Sequence, residues 1–116
     1  MALSHVSFGY GQREVLHDVT FTAPQGTTTA IVGPSGSGKS TICNLVARFY
    51  DTDSGTVSVG GHDVREFPCE SLLQNISMVF QNVYLFQDSV ENNIKFGCPE
   101  ATHEQVVAAA KAACCH

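Results

Sequence analysis

The residues best suited to chemistry form a glycine-rich run in the first half of the chain. Its sequence, GPSGSGKS, fits the pattern GxxxxGK[ST], in which glycines let successive backbone N–H groups point at phosphate oxygens. Lys39 supplies a mobile cation for the terminal phosphates, and the hydroxyl of Ser40 is a ligand suited to Mg²⁺. We predict that the phosphates of a nucleotide are held by Gly33, Pro34, Ser35, Gly36, Ser37, Gly38, Lys39, Ser40 and Thr41.

This loop needs a strand before it and a helix after it to hold it in place. The β-branched segment TTTAIV, residues 27–32, predicts a buried strand, and apolar residues at helical spacing predict a helix over 38–49. Because the helix begins at the loop, its free N–H groups and the positive end of its dipole add to anion binding. The plain alternative is a Gly/Ser-rich turn with an incidental lysine, which does not require this order of elements.

Turn signals divide the rest of the chain into short strands and helices, which predicts a mixed α and β structure. Strand patterns cover residues 3–8, 15–23, 56–59 and 76–80. Helix patterns cover residues 68–75, 89–96 and 102–113. The first two strands are separated by the turn GYGQRE, so we expect them to form an antiparallel hairpin.

Composition excludes several classes of function. The chain has 116 residues, 43% of them hydrophobic, which suits one globular unit with a single core. Six Lys and Arg residues stand against eleven Asp and Glu residues, and the basic ones are scattered, so no nucleic-acid partner is expected. No apolar run approaches the ~20 residues that cross a bilayer, and the start lacks the features of a signal peptide. We therefore expect a soluble chain in the cytosol.

Cysteines and aspartates outside the loop have simpler interpretations. The five cysteines show no CxxC spacing, which indicates free thiols in a reducing compartment. The run from Cys114 to His116 offers three metal ligands, but three ligands at one point of a chain do not close a structural site. Asp51, Asp53 and Asp63 are typical turn residues, whose side chains bond nearby backbone groups.

Four segments in fixed order resemble the ATP-binding cassette (ABC) transporters: VSFGY, EVLHDVTFTAPQGTTTAIVGPSGSGKST, RFYDTDSGTVSVGGHDV and ISMVFQNVYLFQDSVENNI. The resemblance covers essentially the whole chain and implies an α/β fold, with a P-loop NTPase core of ABC type, an antiparallel β subdomain and the beginning of a helical subdomain. It also implies ATP and Mg²⁺ as ligands, a transmembrane domain and a second cassette as partners, and a place at the cytoplasmic face of the cell membrane. The segment VYLFQDSVENNIKFG resembles exporter-type cassettes.

The resemblance also implies roles for individual residues. Tyr10 matches the aromatic residue of the family's A-loop, which stacks on adenine. Gln81 matches the Q-loop glutamine, whose amide oxygen reaches Mg²⁺ or the attacking water. Gln81 and Lys39 are therefore the implied catalytic residues, with Ser40 and Gln81 as metal ligands. Residues 82–86 lie where the family's cassette receives the coupling helix of its membrane domain. The residues alone also allow a packed tyrosine and a solvated turn glutamine.

By the same resemblance, residues 1–116 are the N-terminal part of one ABC ATP-binding domain. Its parts are a β-hairpin layer with the P-loop strand (1–33), the Walker A loop and helix (33–49), strands with a short helix (50–80), the Q-loop (81–88) and the start of the helical subdomain (89–116). The family's LSGGQ signature, its acidic Walker B strand, its catalytic glutamate and its switch histidine are not among these residues. We therefore expect the chain to bind Mg-ATP without hydrolysing it.

Two other classes of protein share part of this pattern. The nucleotide-binding head of a chromosome-maintenance (SMC-type) ATPase has the same phosphate loop and Q-loop, but it continues into long heptads, and residues 102–113 are short and rich in alanine. A nucleotide-binding module with no hydrolysis in its biology is the second alternative. Flanking sequence separates these from a transporter, since only a fused transporter has membrane helices upstream and a signature motif downstream.

Overall fold

Strands dominate the first part of the chain and helices the last part in the computed structural model, which describes residues 1–116. The strands are β1 (Ala2–Tyr10), β2 (Arg13–Thr22), β3 (Ser54–Val59) and β4 (His62–Asp63). The helices are α1 (Lys39–Val46), α2 (Cys69–Gln74), α3 (Val90–Ile94) and α4 (His103–Ala112), with a 3₁₀ turn at Val64–Glu66. Internal packing divides the chain into a first unit, Met1–Met78, and a second unit, Val79–His116. None of the helices is long and apolar enough to cross a lipid bilayer.

The strands form one antiparallel sheet in the order β2-β1-β3-β4. A tight turn at Gly11 and Gln12 joins β1 to β2, and Gly11 has a φ of 64°, a left-handed conformation that glycine adopts without strain. This pairing confirms the hairpin predicted from residues 3–8 and 15–23.

An irregularity in β1 decides which of its side chains face inward. The register with β2 shifts between Leu3 and Val6, where His5 has a φ of 50°. Because side chains alternate along a regular strand, Leu3 and Val6 would face opposite sides without this bulge. Both are buried, and with Phe8 they form the inner face of β1. Gly55 of β3, with a φ of 80°, lies against the bulge, and a Cβ there would overlap the carbonyl oxygen of His5.

The core of the first unit joins this inner face to α1 and α2. It consists of the buried side chains Leu3, Val6, Phe8, Leu16, Ile42, Leu45, Val57, Val64 and Leu72. Ile42 and Leu45 lie three positions apart on α1 and therefore share one face of that helix. Burying a side chain of this size contributes about 1.5–3 kcal/mol, so α1 is held firmly on the sheet. The glycine loop that precedes α1 is thereby held at one end.

Two predicted strands are not formed. Residues 27–32 and 76–80 have no strand pairing, and Val32 in the first of these segments is 88% exposed. A segment rich in β-branched residues favours an extended conformation, but it becomes part of a sheet only when a neighbouring strand supplies hydrogen bonds. Neither segment has such a neighbour among residues 1–116. Within 1–33 and 50–80, the strands that form are therefore β1, β2 and β3, which were predicted, and the short β4, which was not.

The helices follow the predicted capping residues but are shorter than predicted. α1 ends at Val46, and Arg48 just beyond it has a φ of 57°, which terminates the helix before residue 49. Ser89 caps α3 by accepting a hydrogen bond from the N–H of Asn92. Thr102 and Gln105 form the predicted capping box at the start of α4.

Candidate nucleotide-binding site

The glycines of the loop at 33–41 are required by its backbone and by its neighbours. Gly36 and Gly38 have φ angles of 80° and 95°, a region in which other residues are strained. A Cβ on Gly38 would also lie 2.7 Å from Cδ2 of Leu16 and 3.2 Å from Cγ1 of Val15 on β2. Gly38 therefore allows both the turn of the loop and the close packing of the loop on the hairpin.

Lys39 crosses back over the start of the loop. Its ammonium donates hydrogen bonds to the carbonyl oxygens of Gly33 and Pro34, each at 2.7 Å, and to the hydroxyl of Ser37 at 3.3 Å. An ammonium group has three N–H donors, so these contacts use all of them. The loop thus curves around the positive charge of the Lys39 ammonium.

The first turn of α1 leaves its backbone donors available. Gly38 is the N-cap residue and provides no side-chain hydrogen bond, and no acidic residue lies in the first turn. The N–H groups at a helix N-terminus carry partial positive charge, and here no side chain of the chain satisfies or opposes them. Ser40 is exposed at this end, whereas Thr41 is buried. The Ser40 hydroxyl is a hard oxygen donor, which fits the ligand chemistry of Mg²⁺.

Tyr10 lies beside this loop, although 31 residues separate it from Thr41 in the chain. The two hydroxyl oxygens are 3.5 Å apart, at the outer limit of a hydrogen bond. Tyr10 is the last residue of β1 and remains 43% exposed, so part of its ring is open to a ligand. The structure therefore brings the predicted base-stacking residue together with the predicted phosphate loop.

Phe8 and Tyr50, the two aromatic neighbours of Tyr10, were not identified from the sequence. Tyr50 packs against Tyr10 with ring centroids 5.2 Å apart, and Phe8 packs against both tyrosines. Asp53 was predicted to bond nearby backbone, but its carboxylate accepts a hydrogen bond from the N–H of Gly9, at 3.0 Å and 44 residues away. The tyrosine of RFYD, just after a predicted helix, was the available signal for Tyr50, but its partners depend on tertiary structure.

Two ion pairs lie on either side of β3, one in the turn between α1 and β3 and one at the 3₁₀ turn that follows β4. Arg48 contacts Asp51 at 2.9 Å, and this hydrogen bond raises the pKa of the Arg48 guanidinium. Arg65 contacts Asp63 at 2.8 Å and lowers the pKa of that carboxyl group. Asp63 also accepts a hydrogen bond from the backbone N–H of Arg65, which confirms its predicted role as a turn former.

The second unit contains the predicted Q-loop and an exposed apolar surface. Gln81 is exposed, and so are Tyr84, Leu85 and Phe86, as expected for three consecutive apolar residues that cannot share one interior. Phe86 stacks on Phe96 with ring centroids 4.3 Å apart. These side chains cover one another but leave a large apolar area open to a partner.

A single amide group holds the Phe86 backbone against α3. The side-chain oxygen of Asn93 accepts a hydrogen bond from the N–H of Phe86 at 2.8 Å, and its nitrogen donates to the Phe86 carbonyl at 3.1 Å. Asp88 accepts hydrogen bonds from the side chain of Asn92 and the N–H of Ser89, which together lower the pKa of its carboxyl group. In this segment of the second unit, hydrogen bonds from polar side chains hold the backbone in place, whereas in the first unit buried apolar side chains hold the elements together.

Metal-binding groups are sparse in the structure. No three side chains of His, Cys, Asp or Glu lie close enough together to hold a metal ion, and this includes the run from Cys114 to His116. At the glycine loop, the Ser40 hydroxyl is an oxygen donor of the kind that suits a divalent cation, to which oxygens of a bound ligand would add. Ser40 belongs to the first unit and Gln81 to the second.

Known proteins resemble this chain over almost its full length. It is 49% identical over 111 residues to the ATP-dependent lipid A-core flippase of Vibrio cholerae. The matched region covers 93% of this chain and 19% of that protein. It is 50% identical over 103 residues to the mitochondrial iron-sulfur clusters transporter ATM1 of Candida glabrata. The matched region covers 88% of this chain and 14% of that protein. The chain thus spans a fifth or less of the length of these relatives.

The three-dimensional comparison agrees with the sequence comparison. The solved structure of a bacterial Atm1-family ABC exporter with ATP bound superposes with a TM-score of 0.94 at 41% identity, covering 97% of this chain and 20% of that one. The predicted fold class, a P-loop core of ABC type with an antiparallel β subdomain, is thereby confirmed. Residues 16–114 match the family model described as ABC transporter, and the chain belongs to the ABC transporter family.

Proposed function

We propose that this chain is the ATP-binding part of an exporter-type ABC transporter ATPase, which couples ATP binding and hydrolysis to transmembrane transport. The observation that carries the proposal is the loop at 33–41, which curves around the Lys39 ammonium at the uncapped start of α1 with Tyr10 beside it. A phosphate chain needs closely spaced N–H donors and a cation, and an adenine base needs an aromatic face. The presence of such groups close together in the first unit supports the proposal.

Mg-ATP is the proposed ligand of this site. The backbone of Gly33 to Thr41 binds the phosphates, Lys39 neutralises the terminal ones, and Tyr10 stacks on the base. Ser40 and Gln81 are the proposed ligands for Mg²⁺, which when bound offsets the negative charge of the β- and γ-phosphates. Lys39 has to exchange part of its present hydrogen bonding for phosphate oxygens, and the flexible lysine side chain allows this exchange.

The exposed apolar surface of the second unit is the proposed contact with the transmembrane domain. We propose that Gln81 senses the γ-phosphate region and that residues 82–86 contact the membrane domain at the cytoplasmic face. Gln81→Ala, in a transporter that carries this cassette, is then expected to reduce transport and stimulated hydrolysis more than ATP affinity. Transport at the wild-type rate would contradict this coupling role.

Hydrolysis is proposed to require parts of the family's machinery that residues 1–116 do not contain. A general base and a second cassette that supplies the signature motif are needed to activate water and to stabilise the charge on the γ-phosphate. An amide such as that of Gln81 is too weakly basic to accept the proton. The proposed activity of this chain alone is therefore binding of Mg-ATP without turnover.

Calorimetric titration of the 116-residue chain with Mg-ATP tests the proposal. Wild type is expected to bind, and Lys39→Ala is expected to lose measurable binding, because the terminal phosphates lose their counter-charge. Lys111→Ala on α4 is the matched control, since it removes the same charge from an exposed site in the second unit.

Undiminished affinity of the Lys39→Ala variant would contradict the assigned role of the lysine. A phosphate-release assay on the same proteins completes the test, and wild-type turnover well above that of Lys39→Ala would show that the base lies within these residues. Absence of ATP binding by folded wild type would contradict the proposed function itself.

A further inference from the structure

Three aromatic rings meet at the end of β1. Phe8 and Tyr10 have ring centroids 5.0 Å apart at an interplanar angle of 85°, and Tyr10 and Tyr50 have centroids 5.2 Å apart at 84°. Phe8 and Tyr50 complete the triangle at 5.7 Å. Edge-to-face contacts at these distances are the favoured geometry for aromatic pairs. The Tyr10 ring is thus contacted by two others.

Hydrogen bonds join the segment that carries Tyr50 to β1, at residues shortly before Tyr10. The Asp53 carboxylate accepts a hydrogen bond from the N–H of Gly9 at 3.0 Å, and the N–H of Asp53 donates to the carbonyl of Ser7 at 3.0 Å. At its other end, Arg48 pairs with Asp51 at 2.9 Å. The backbone that carries Tyr50 and the backbone that carries Tyr10 are therefore held together.

Such bracing restricts the orientation of the Tyr10 ring. Tyr10 lies at the end of a strand beside a tight turn, and its hydroxyl has only the 3.5 Å contact with Thr41 to orient it. A ring in that position rotates about its side-chain torsions unless neighbours restrict it. Stacking on a base requires that one face be presented in a defined plane, and rings already held in place lose less entropy on binding.

We propose that Tyr50 is a positioning residue for the nucleotide base, which acts by holding the Tyr10 ring in the orientation that stacks. The proposal rests on the proposed function, because it assumes that a nucleotide binds beside the loop at 33–41. Phe8 contacts the same ring but is buried in the core, so its removal would disturb folding. Tyr50 is 47% exposed, so a smaller side chain can replace its ring with little loss of core packing.

Double-mutant analysis separates action through Tyr10 from direct contact with the base. The proteins are the 116-residue chain with Tyr50→Leu, Tyr50→Phe, Tyr10→Ala and the double change Tyr10→Ala/Tyr50→Leu. Each is titrated with Mg-ATP and with magnesium triphosphate, which has phosphates but no base. Circular dichroism of each variant checks that it is folded.

Tyr50→Leu is expected to weaken ATP binding about two- to tenfold, the range that one aromatic pair contributes, and to leave triphosphate binding unchanged. Tyr50→Phe is expected to retain wild-type affinity, because the ring and not the hydroxyl makes the contacts with Phe8 and Tyr10. In the Tyr10→Ala background, Tyr50→Leu is expected to have no further effect.

Asp53→Asn is a second variant for the case in which Tyr50→Leu does not fold. It keeps the shape of the side chain and weakens the acceptor for the Gly9 N–H, so a smaller loss for ATP alone is expected.

Unchanged ATP affinity of folded Tyr50→Leu, while wild type binds ATP, would overturn this inference alone. Equal losses for ATP and triphosphate would overturn it as well, since they would indicate a general distortion of the loop. An equal loss in both Tyr10 backgrounds would assign Tyr50 to direct contact instead. If wild type bound Mg-ATP no more tightly than magnesium triphosphate, the result would contradict the stacking role of Tyr10, and with it the inference.

Discussion

The two units of this chain are stabilised in different ways. The first unit buries a continuous set of apolar side chains between a four-stranded sheet and α1, and its glycine loop is packed directly on β2. The second unit buries only Val106 and Ala110, and its exposed aromatic segment is held by hydrogen bonds from Asn93. A rigid core suits a site that must hold donors in place, and an exposed apolar surface suits contact with a partner. The comparison predicts that equal changes in the two units have unequal effects.

The largest difference is expected for the removal of a leucine side chain. Leu45 on α1 is 1% exposed, so Leu45→Ala is expected to lower the free energy of unfolding by about 2–5 kcal/mol through lost burial and a residual cavity. Leu85→Ala in the second unit, where the side chain is 72% exposed, is expected to change it by less than about 0.5 kcal/mol. Urea unfolding of both variants measures the difference.

Similar losses in the two variants would contradict the contrast between the units. A large loss for Leu85→Ala alone would show that the aromatic segment is part of a folding core.

A change at the site surface is expected to be smaller and specific to the ligand. Tyr10→Ala removes the ring proposed to stack on the base, so ATP binding is expected to weaken by about 1–3 kcal/mol. Binding of magnesium triphosphate is expected to stay the same, because it has no base. Parallel calorimetric titrations give both values, and equal weakening of the two ligands would indicate a folding defect instead of lost stacking.

The smallest expected effect concerns the hydrogen-bonded turn at Asp88. Hydrogen bonds from Asn92 and from the Ser89 N–H lower the pKa of this carboxyl below its ordinary value of 3.8. A lowered pKa means that the ionised carboxylate stabilises the folded form above the ordinary pKa. This contribution is lost as the pH falls through the pKa of the folded form.

The protection factors of the α3 amides against hydrogen exchange are therefore expected to fall in acid, with little change near neutral pH. Asp88→Asn is expected to reduce this dependence on pH, while Glu100→Gln, which changes an exposed acid nearby, leaves it intact. The same pH profile in wild type and Asp88→Asn would contradict the role of the carboxylate.

Local patterns of the sequence were sufficient for the loop, the hairpin and the helix caps. GxxxxGK[ST] requires glycine at Gly33 and Gly38, and the structure has Gly38 in the left-handed conformation, together with Gly36 inside the loop. Ser89 and Thr102 cap helices because their side chains reach backbone N–H groups only a few residues away. The loop and the caps depend on residues a few positions apart, and the hairpin joins two strands that are consecutive in the chain, which is why sequence alone predicts them.

Contacts between distant residues were decided by tertiary structure alone. The strands predicted at 27–32 and 76–80 have the right composition, but a strand forms only where another supplies its hydrogen bonds. The bond from Gly9 to Asp53 and the packing of Tyr50 on Tyr10 join residues about 40 apart. The sequence by itself determined which residues are suited to bind phosphate and that the chain has an ABC-type fold. Only the tertiary structure decided which aromatic rings surround Tyr10, because that depends on the bulge in β1, the end of α1 and the return of the chain along β3.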